Sequence, residues 1–191
     1  MWILRTRQLL RLLLACVLGG RCPGCGAASL HQLCDRCMGE LCATPSAPHA
    51  ALRDEGVAGR LVRLAKHGRW RAGADVFAPI VLKRLGGRDA VALRVDLVSW
   101  IPADPARRRV RGGHLPEQVA RSVARACGVP ARTLLVRQRS RAQRGLDERE
   151  RAANVRGMFR LVGARPEGDA PITLLIDDVC TTGATLDEAS R

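Results

Sequence analysis

The spacing of apolar residues changes several times along this chain, and each change marks an element. In VAGRLVRLAKHGRW, Val57, Leu61, Leu64 and Ala65 recur on one side, which predicts a helix over residues 57–70. GADVFAPIVLKRL, residues 73–85, continues as a helix despite Pro79. The period shortens to two in RVDLVSWIP, residues 94–102, a strand that stops at Pro102. LPEQVARSVARACG, residues 115–128, is amphipathic, with Pro116 in its first turn and Gly128 at its end. ARTLLVRQ (131–138), MFRLVG (158–163) and ITLLID (172–177) read as strands, the last the most hydrophobic. Strand, helix and strand in succession imply parallel pairing through helical crossovers. The expected class is therefore α/β with an open, mainly parallel sheet, and no internal repeat interrupts it.

Two stretches precede this pattern. In MWILRTRQLLRLLLACVLGG, Ile3, Leu10, Leu13, Leu14, Val17 and Leu18 fall at near-helical spacing, with Arg5, Arg7 and Arg11 towards water. A secretory signal competes with that reading, but Arg11 leaves only Leu12 to Leu18 as its apolar region, at the short limit for a signal. An amphipathic helix is the expectation. ATPSAPHAALRDEG, rich in Pro, Ala and Ser, reads as a linker. The expected organisation is a module over residues 1–43, a linker over 44–55 and an α/β domain over 56–191.

Composition limits the functions open to the chain. At 191 residues and 47% apolar content it can bury a core for one domain and a small module. Without an apolar run of ~18 residues there is no membrane span to expect. The formal charge is +14, yet among 32 basic side chains only Lys66 and Lys83 are lysine. That bias fits a polyanion partner, and it equally fits the base composition of the coding DNA.

Four of the eight cysteines form CPGCGAASLHQLCDRC, a C-x2-C-x8-C-x2-C arrangement of Cys22, Cys25, Cys34 and Cys37. Each pair sits at an expected tight turn, Pro23-Gly24 or Asp35-Arg36, so four thiolates converge on one tetrahedral ion. Disulfides compete, but a two-residue gap makes a strained ring. A structural zinc ion is the expectation, because four sulfur ligands leave no position for water. His31 and Cys42 lie nearby in sequence and read as ordinary residues, as do Cys16, Cys127 and Cys180. On this reading, Cys22→Ser should loosen the module and spare the α/β core.

The strand ending at Ile176 runs into Asp177 and Asp178, and ligands in open α/β sheets sit beyond the carboxyl ends of the strands. Thr181, Thr182 and Thr185 then offer hydroxyls, Gly183 permits a bend, and a helix beginning near Ala184 points free N–H groups at the loop. Such a loop suits a phosphate monoester. Carboxylates beside it suit sugar hydroxyls, so the pair and loop together match a ribose 5-phosphate. The arginines of PARRRVRGG follow the strand ending at Pro102 and read either as a solvated turn or as a pyrophosphate contact. Lys66-His67-Gly68 reads as a helix end with no further role, and RSRAQRGLDERERAAN as a charged helix.

LLIDDVCTTGATL resembles the phosphoribosyl-pyrophosphate (PRPP) motif of type I phosphoribosyltransferases. The order of parts, four cysteines, LAKHG, WIPADPARRRVRGG, RQRSRAQRGLDERERAANVRGMF and then that motif, is similar to the ComF-type family of competence-associated, phosphoribosyltransferase-like proteins. The resemblance implies a zinc ribbon fused to a type I phosphoribosyltransferase fold, in a setting of DNA uptake and recombination. It implies that Asp177 and Asp178 hold the ribose hydroxyls and Mg²⁺, that residues 181–185 hold the phosphate, and that Arg109, Arg111 or both stabilise the leaving pyrophosphate. It also implies a hood over the substrate, with Gln143 and Asn154 at positions matching family residues. The family's Arg-Gly-Phe-Asn-Gln signature stands here as Arg111-Gly112-Gly113-His114-Leu115. Type I enzymes continue past the helix in which Arg191 falls, so the expected α/β domain is incomplete at that end.

Two functions follow from these readings. One is transfer of the ribosyl 5-phosphate of PRPP to an unidentified acceptor. The other is a non-catalytic adaptor whose zinc ribbon and arginine surface contact DNA or a helicase-type partner. Reduced thiolates and PRPP both point to the cytosol.

Overall fold

The computed structural model describes residues 20–29, 31–47, 49–67, 70, 73–104, 114–138, 157–163 and 169–191. The expected amino-terminal helix, the arginine loop with Arg109 and Arg111, and the hood with Gln143 and Asn154 lie outside them. The described elements are α1 (Asp35–Ala43), α2 (Gly56–Lys66), α3 (Gly73–Arg84), α4 (Arg88–Ala92), β1 (Leu97–Trp100), α5 (Leu115–Cys127), β2 (Leu135–Arg137), β3 (Phe159–Leu161), β4 (Thr173–Ile176) and α6 (Ala184–Ala189).

β1 forms a two-stranded sheet with β4, and all four of its residues are buried. β4 runs parallel to it, in register from Leu97 opposite Thr173 to Trp100 opposite Ile176. On the other side, Ala131 makes a parallel bridge to Val98; Val98 N–H donates to Pro130 O at 2.9 Å and Arg132 N–H to Val98 O at 3.0 Å. β1, α5 and this segment keep the parallel direction of the expected crossover, but the segment meets β1 through an isolated bridge and not as a strand. α5 is built for that place. Pro116 lies in its first turn, where no N–H is needed, and Gly128 ends it with φ 72°. Along the helix Leu115, Val119, Ala120, Val123 and Ala124 form a buried stripe against α3 and β1.

The next strand departs from expectation. β2 and β3 pair antiparallel, from Leu135 opposite Leu161 to Arg137 opposite Phe159. The chain has already left β1, because Leu134 N–H donates to the buried Ser99 hydroxyl at 3.4 Å instead of continuing the ladder. Val136, Leu161 and Val162 are exposed. A parallel strand is normally covered on both faces, whereas an antiparallel ribbon tolerates water, so the ribbon is the form this segment takes.

α2 ends at Lys66, four residues before its expected end at Trp70, with Arg63 and Lys66 in the last turn where the helix dipole favours cations. Trp70 is buried instead against Phe77 of α3, ring centroids 5.8 Å apart in an edge-to-face arrangement. Pro79 is tolerated inside α3 on its exposed side. The short α4 carries no amphipathic signal and was not expected from the spacing.

Cys22, Leu33, Cys37 and Leu41 share one buried cluster with Val57, Leu61, Val98, Val123 and Ile176. Val57 N–H also donates to the Glu40 carboxylate at 3.2 Å, and Arg84 of α3 to Thr44 O at 2.7 Å. The cysteine module thus packs into the core of the α/β part.

Candidate metal centre and ligand site

Residues 20–29 form a small hairpin. Cys22 N–H donates to Ala27 O at 2.8 Å, Gly26 N–H to Cys22 O at 2.7 Å and Ser29 N–H to Gly20 O at 3.0 Å. Gly26 turns the chain at φ 79°. Gly24 is required for a different reason: a Cβ there would stand 2.9 Å from Cys37 Sγ and 3.3 Å from Val57 Cγ1. The second pair is carried differently from expectation. Asp35-Arg36 is the first turn of α1 and not a tight turn, with Cys34 at the N-cap and Cys37 one turn in. A helix start brings two sulfurs to one point as well as a turn does, because residues three apart share a face.

The four sulfurs lie within 4.8 Å of one another, and Cys25 Sγ is 3.7 Å from Cys34 Sγ. A tetrahedron with metal–sulfur bonds of ~2.3 Å has sulfur–sulfur edges of about 3.8 Å, so the spacing fits a single metal ion. Cys22 and Cys37 are buried. The Ala27 backbone N–H holds the Cys25 thiol down to about 6, while burial, reinforced by the neighbouring sulfurs, pushes Cys37 up to about 12. A bound cation would offset the burial and the neighbouring sulfurs that hold the Cys37 proton in place. His31 and Cys42 are exposed and outside the cluster.

The second centre lies where β1 and β4 end side by side, with Ile101 N–H donating to Ile176 O at 2.9 Å. Asp177 and Asp178 follow at once. Asp178 N–H donates to the Asp177 carboxylate at 2.7 Å. Lys66 Nζ stands 3.1 Å from Asp178 Oδ1, the two side chains 27% and 24% exposed. Burial pushes Asp177 up to about 6; the Asp178 charge adds to this, and the Asp178 N–H and the charges of Lys66 and Arg137 oppose it. Thr181 and Thr182 are exposed, Thr185 is half-buried, and Gly183 adopts φ 80° as the residue before α6. Ala184 N–H donates to Thr182 Oγ1 at 3.4 Å.

A cavity of about 710 Å³ adjoins this end of β4. Ala58, Val62, Phe77, Val81 and Leu115 line its apolar side, and Asp177 and Asp178 stand on its wall. The structure therefore brings together the acidic pair and the 181–185 loop. Arg109 and Arg111 lie outside the described residues. Lys66 and Arg137, whose charges act on Asp177 among the described residues, were not expected there from the sequence. For Lys66 a signal was present: it is one of two lysines in a chain that otherwise uses arginine, placed at the end of a helix.

Comparison with protein-family models, curated proteins and solved structures finds no match in any of the three. Among the described residues, no helix is long and apolar enough to cross a membrane.

Proposed function

We propose that this chain is a phosphoribosyltransferase-like protein that binds PRPP or a related ribose 5-phosphate together with Mg²⁺, and that its four cysteines hold a structural zinc ion. The observation that carries the reading is the direct succession of two half-buried carboxylates, a left-handed glycine and a hydroxyl-bearing loop at the carboxyl end of a parallel strand. Carboxylates accept hydrogen bonds from vicinal hydroxyls, and loop amides and hydroxyls donate to phosphate oxygens. Hard oxygen donors suit Mg²⁺, and the reading is supported by the cationic partner, an ammonium 3.1 Å from Asp178 Oδ1, that this carboxylate already has. Asp177 and Asp178 would hold it, and it would offset the charge of a pyrophosphate group.

Transfer requires more than binding. The reacting sugar carbon gains positive character as pyrophosphate leaves, and the acidic pair would stabilise that charge. An acceptor must also be held against the same carbon. Reduced cysteine ligands and PRPP together favour a cytosolic setting. The setting of DNA uptake rests on the resemblance alone.

The test is thermal stabilisation of the zinc-loaded chain by PRPP, ribose 5-phosphate and pyrophosphate, each with Mg²⁺, followed by pyrophosphate release across a panel of nucleobases and cell extract. Stabilisation by PRPP that Thr182→Ala weakens supports the reading. Release that is unchanged in Asp177→Asn contradicts the role of the pair. Steeply salt-dependent DNA binding without any response to PRPP makes the adaptor the better account.

A further inference from the structure

We propose that Lys66 is the resident counter-ion of the acidic pair, holding at Asp178 the place that a divalent cation takes when ligand binds. The inference rests on the reading above, in that it assigns a cation-dependent ligand to the same carboxylates.

Lys66 belongs to a different part of the chain from the pair it meets. It ends α2, whose register is fixed by Val57, Ala58, Leu61 and Ala65 in the core, so its stem leaves the helix at a defined place. From there the ammonium reaches Asp178 Oδ1 at 3.1 Å, across more than a hundred residues of sequence. Two adjacent carboxylates with about three-quarters of the Asp178 side chain withdrawn from water repel each other, and a nearby cation relieves that repulsion. The Arg137 charge, which acts on Asp177 from β2, does part of the same work.

The choice of lysine is informative. With 32 basic residues of which two are lysine, this chain places arginine at nearly every basic position. Arginine would bind a carboxylate through a rigid planar fork, frequently in two parallel hydrogen bonds. Lysine presents a compact charge on a flexible stem, closer in character to a metal ion and easier to displace. The Lys66 side chain is 27% exposed, so part of it already meets solvent. The ion pair therefore preserves the geometry of an empty site without locking it.

Displacement has a clear signature, and the scarcity of lysine makes it readable. In the zinc-loaded chain carrying isotope-labelled lysine, only two side-chain signals arise, and Lys83, in the last turn of α3, is the internal control. Magnesium chloride alone, compared with sodium chloride at equal ionic strength, should shift the Lys66 signal and leave Lys83 in place. Calorimetry with Mn²⁺ alone should show binding about fivefold tighter in Lys66→Met than in the wild type, the amount by which removing a partly exposed competing charge would act. Lys66→Arg, which keeps the charge, should bind Mn²⁺ no more tightly than the wild type.

A Lys66 signal that ignores Mg²⁺ overturns the proposal, and so does folded Lys66→Met with unchanged or weaker Mn²⁺ affinity. Because both measurements omit phosphorylated ligand, they separate the two ideas. PRPP binding with an unmoved Lys66 signal removes the counter-ion role and leaves the sugar-phosphate reading. A displaced Lys66 in a chain that ignores PRPP keeps the counter-ion role and removes that reading.

Discussion

Gly24 and Cys37 approach so closely that a methyl group on the glycine would stand 2.9 Å from the Cys37 sulfur and 3.2 Å from its Cβ. The hairpin carrying Cys22 and Cys25 is thereby seated on the first turn of α1. Gly24→Ala should force the two pairs apart, at a cost of about 1–3 kcal/mol typical of overpacking. Zinc content after a chelator challenge, with the denaturant midpoint of the same protein, checks this; undiminished zinc retention in the variant would show that the packing is looser than described.

Removing the metal should be felt well beyond the cysteines. Cys22 and Cys37 belong to the same buried cluster as Val57, Leu61 and Trp70, so loss of the ion removes a cross-link between the hairpin and α1 that is anchored in the common core. Chelation, or Cys22→Ser, should lower the thermal midpoint by about 10 °C and disturb the near-ultraviolet signal of Trp70 and Trp100. A midpoint that stays put while the amino-terminal hairpin is lost would mean that the module is an independent unit.

Asp177 gives the fold a pH dependence whose sign is unusual for a carboxylate. Its folded value is raised, chiefly by burial, to about 6, from 3.8. The folded chain therefore holds this proton more tightly than the unfolded chain does, so the stability it contributes is present at low pH and lost as pH rises through about 6. Between pH 5 and pH 7 the loss is on the order of 1 kcal/mol. Comparing wild type with Asp177→Asn across that range isolates the group, because proton competition at the cysteines is common to both proteins. Asp177→Asn should gain stability relative to the wild type as pH rises; a difference independent of pH contradicts the burial of this carboxylate.

The parts legible in the sequence are those fixed by local chemistry. Pro116 and Gly128 delimit α5 because each suits only one end of a helix, and the Cys-x2-Cys spacing implies convergence whether a turn or a helix start supplies it. Gly183 and the start of α6 at Ala184 follow from a bend that needs a left-handed residue. The rest depends on partners distant in sequence. Nothing in MFRLVG states that Phe159 will lie antiparallel to Arg137, because alternation fixes a strand and not its neighbour. Nothing in LAKHG states that Lys66 will meet Asp178, since only the packing of α2 against the sheet determines it. The end of α2 at Lys66 also depends on a distant partner: Trp70, which falls off the stripe of Val57, Leu61, Leu64 and Ala65, is buried against Phe77 instead.

The central claim is that Asp177, Asp178 and the loop after them form a site for a metal-chelated ribose phosphate. Calorimetric titration of PRPP with Mg²⁺ into the zinc-loaded chain at pH 7.5, above the Asp177 value of about 6, tests it most directly. The account predicts saturable binding at one site per chain, weakened at least about tenfold in Asp178→Asn by loss of a charged hydrogen-bonding group. No heat of binding at millimolar ligand from a folded, zinc-loaded chain, or equal affinity in Asp178→Asn, would contradict it.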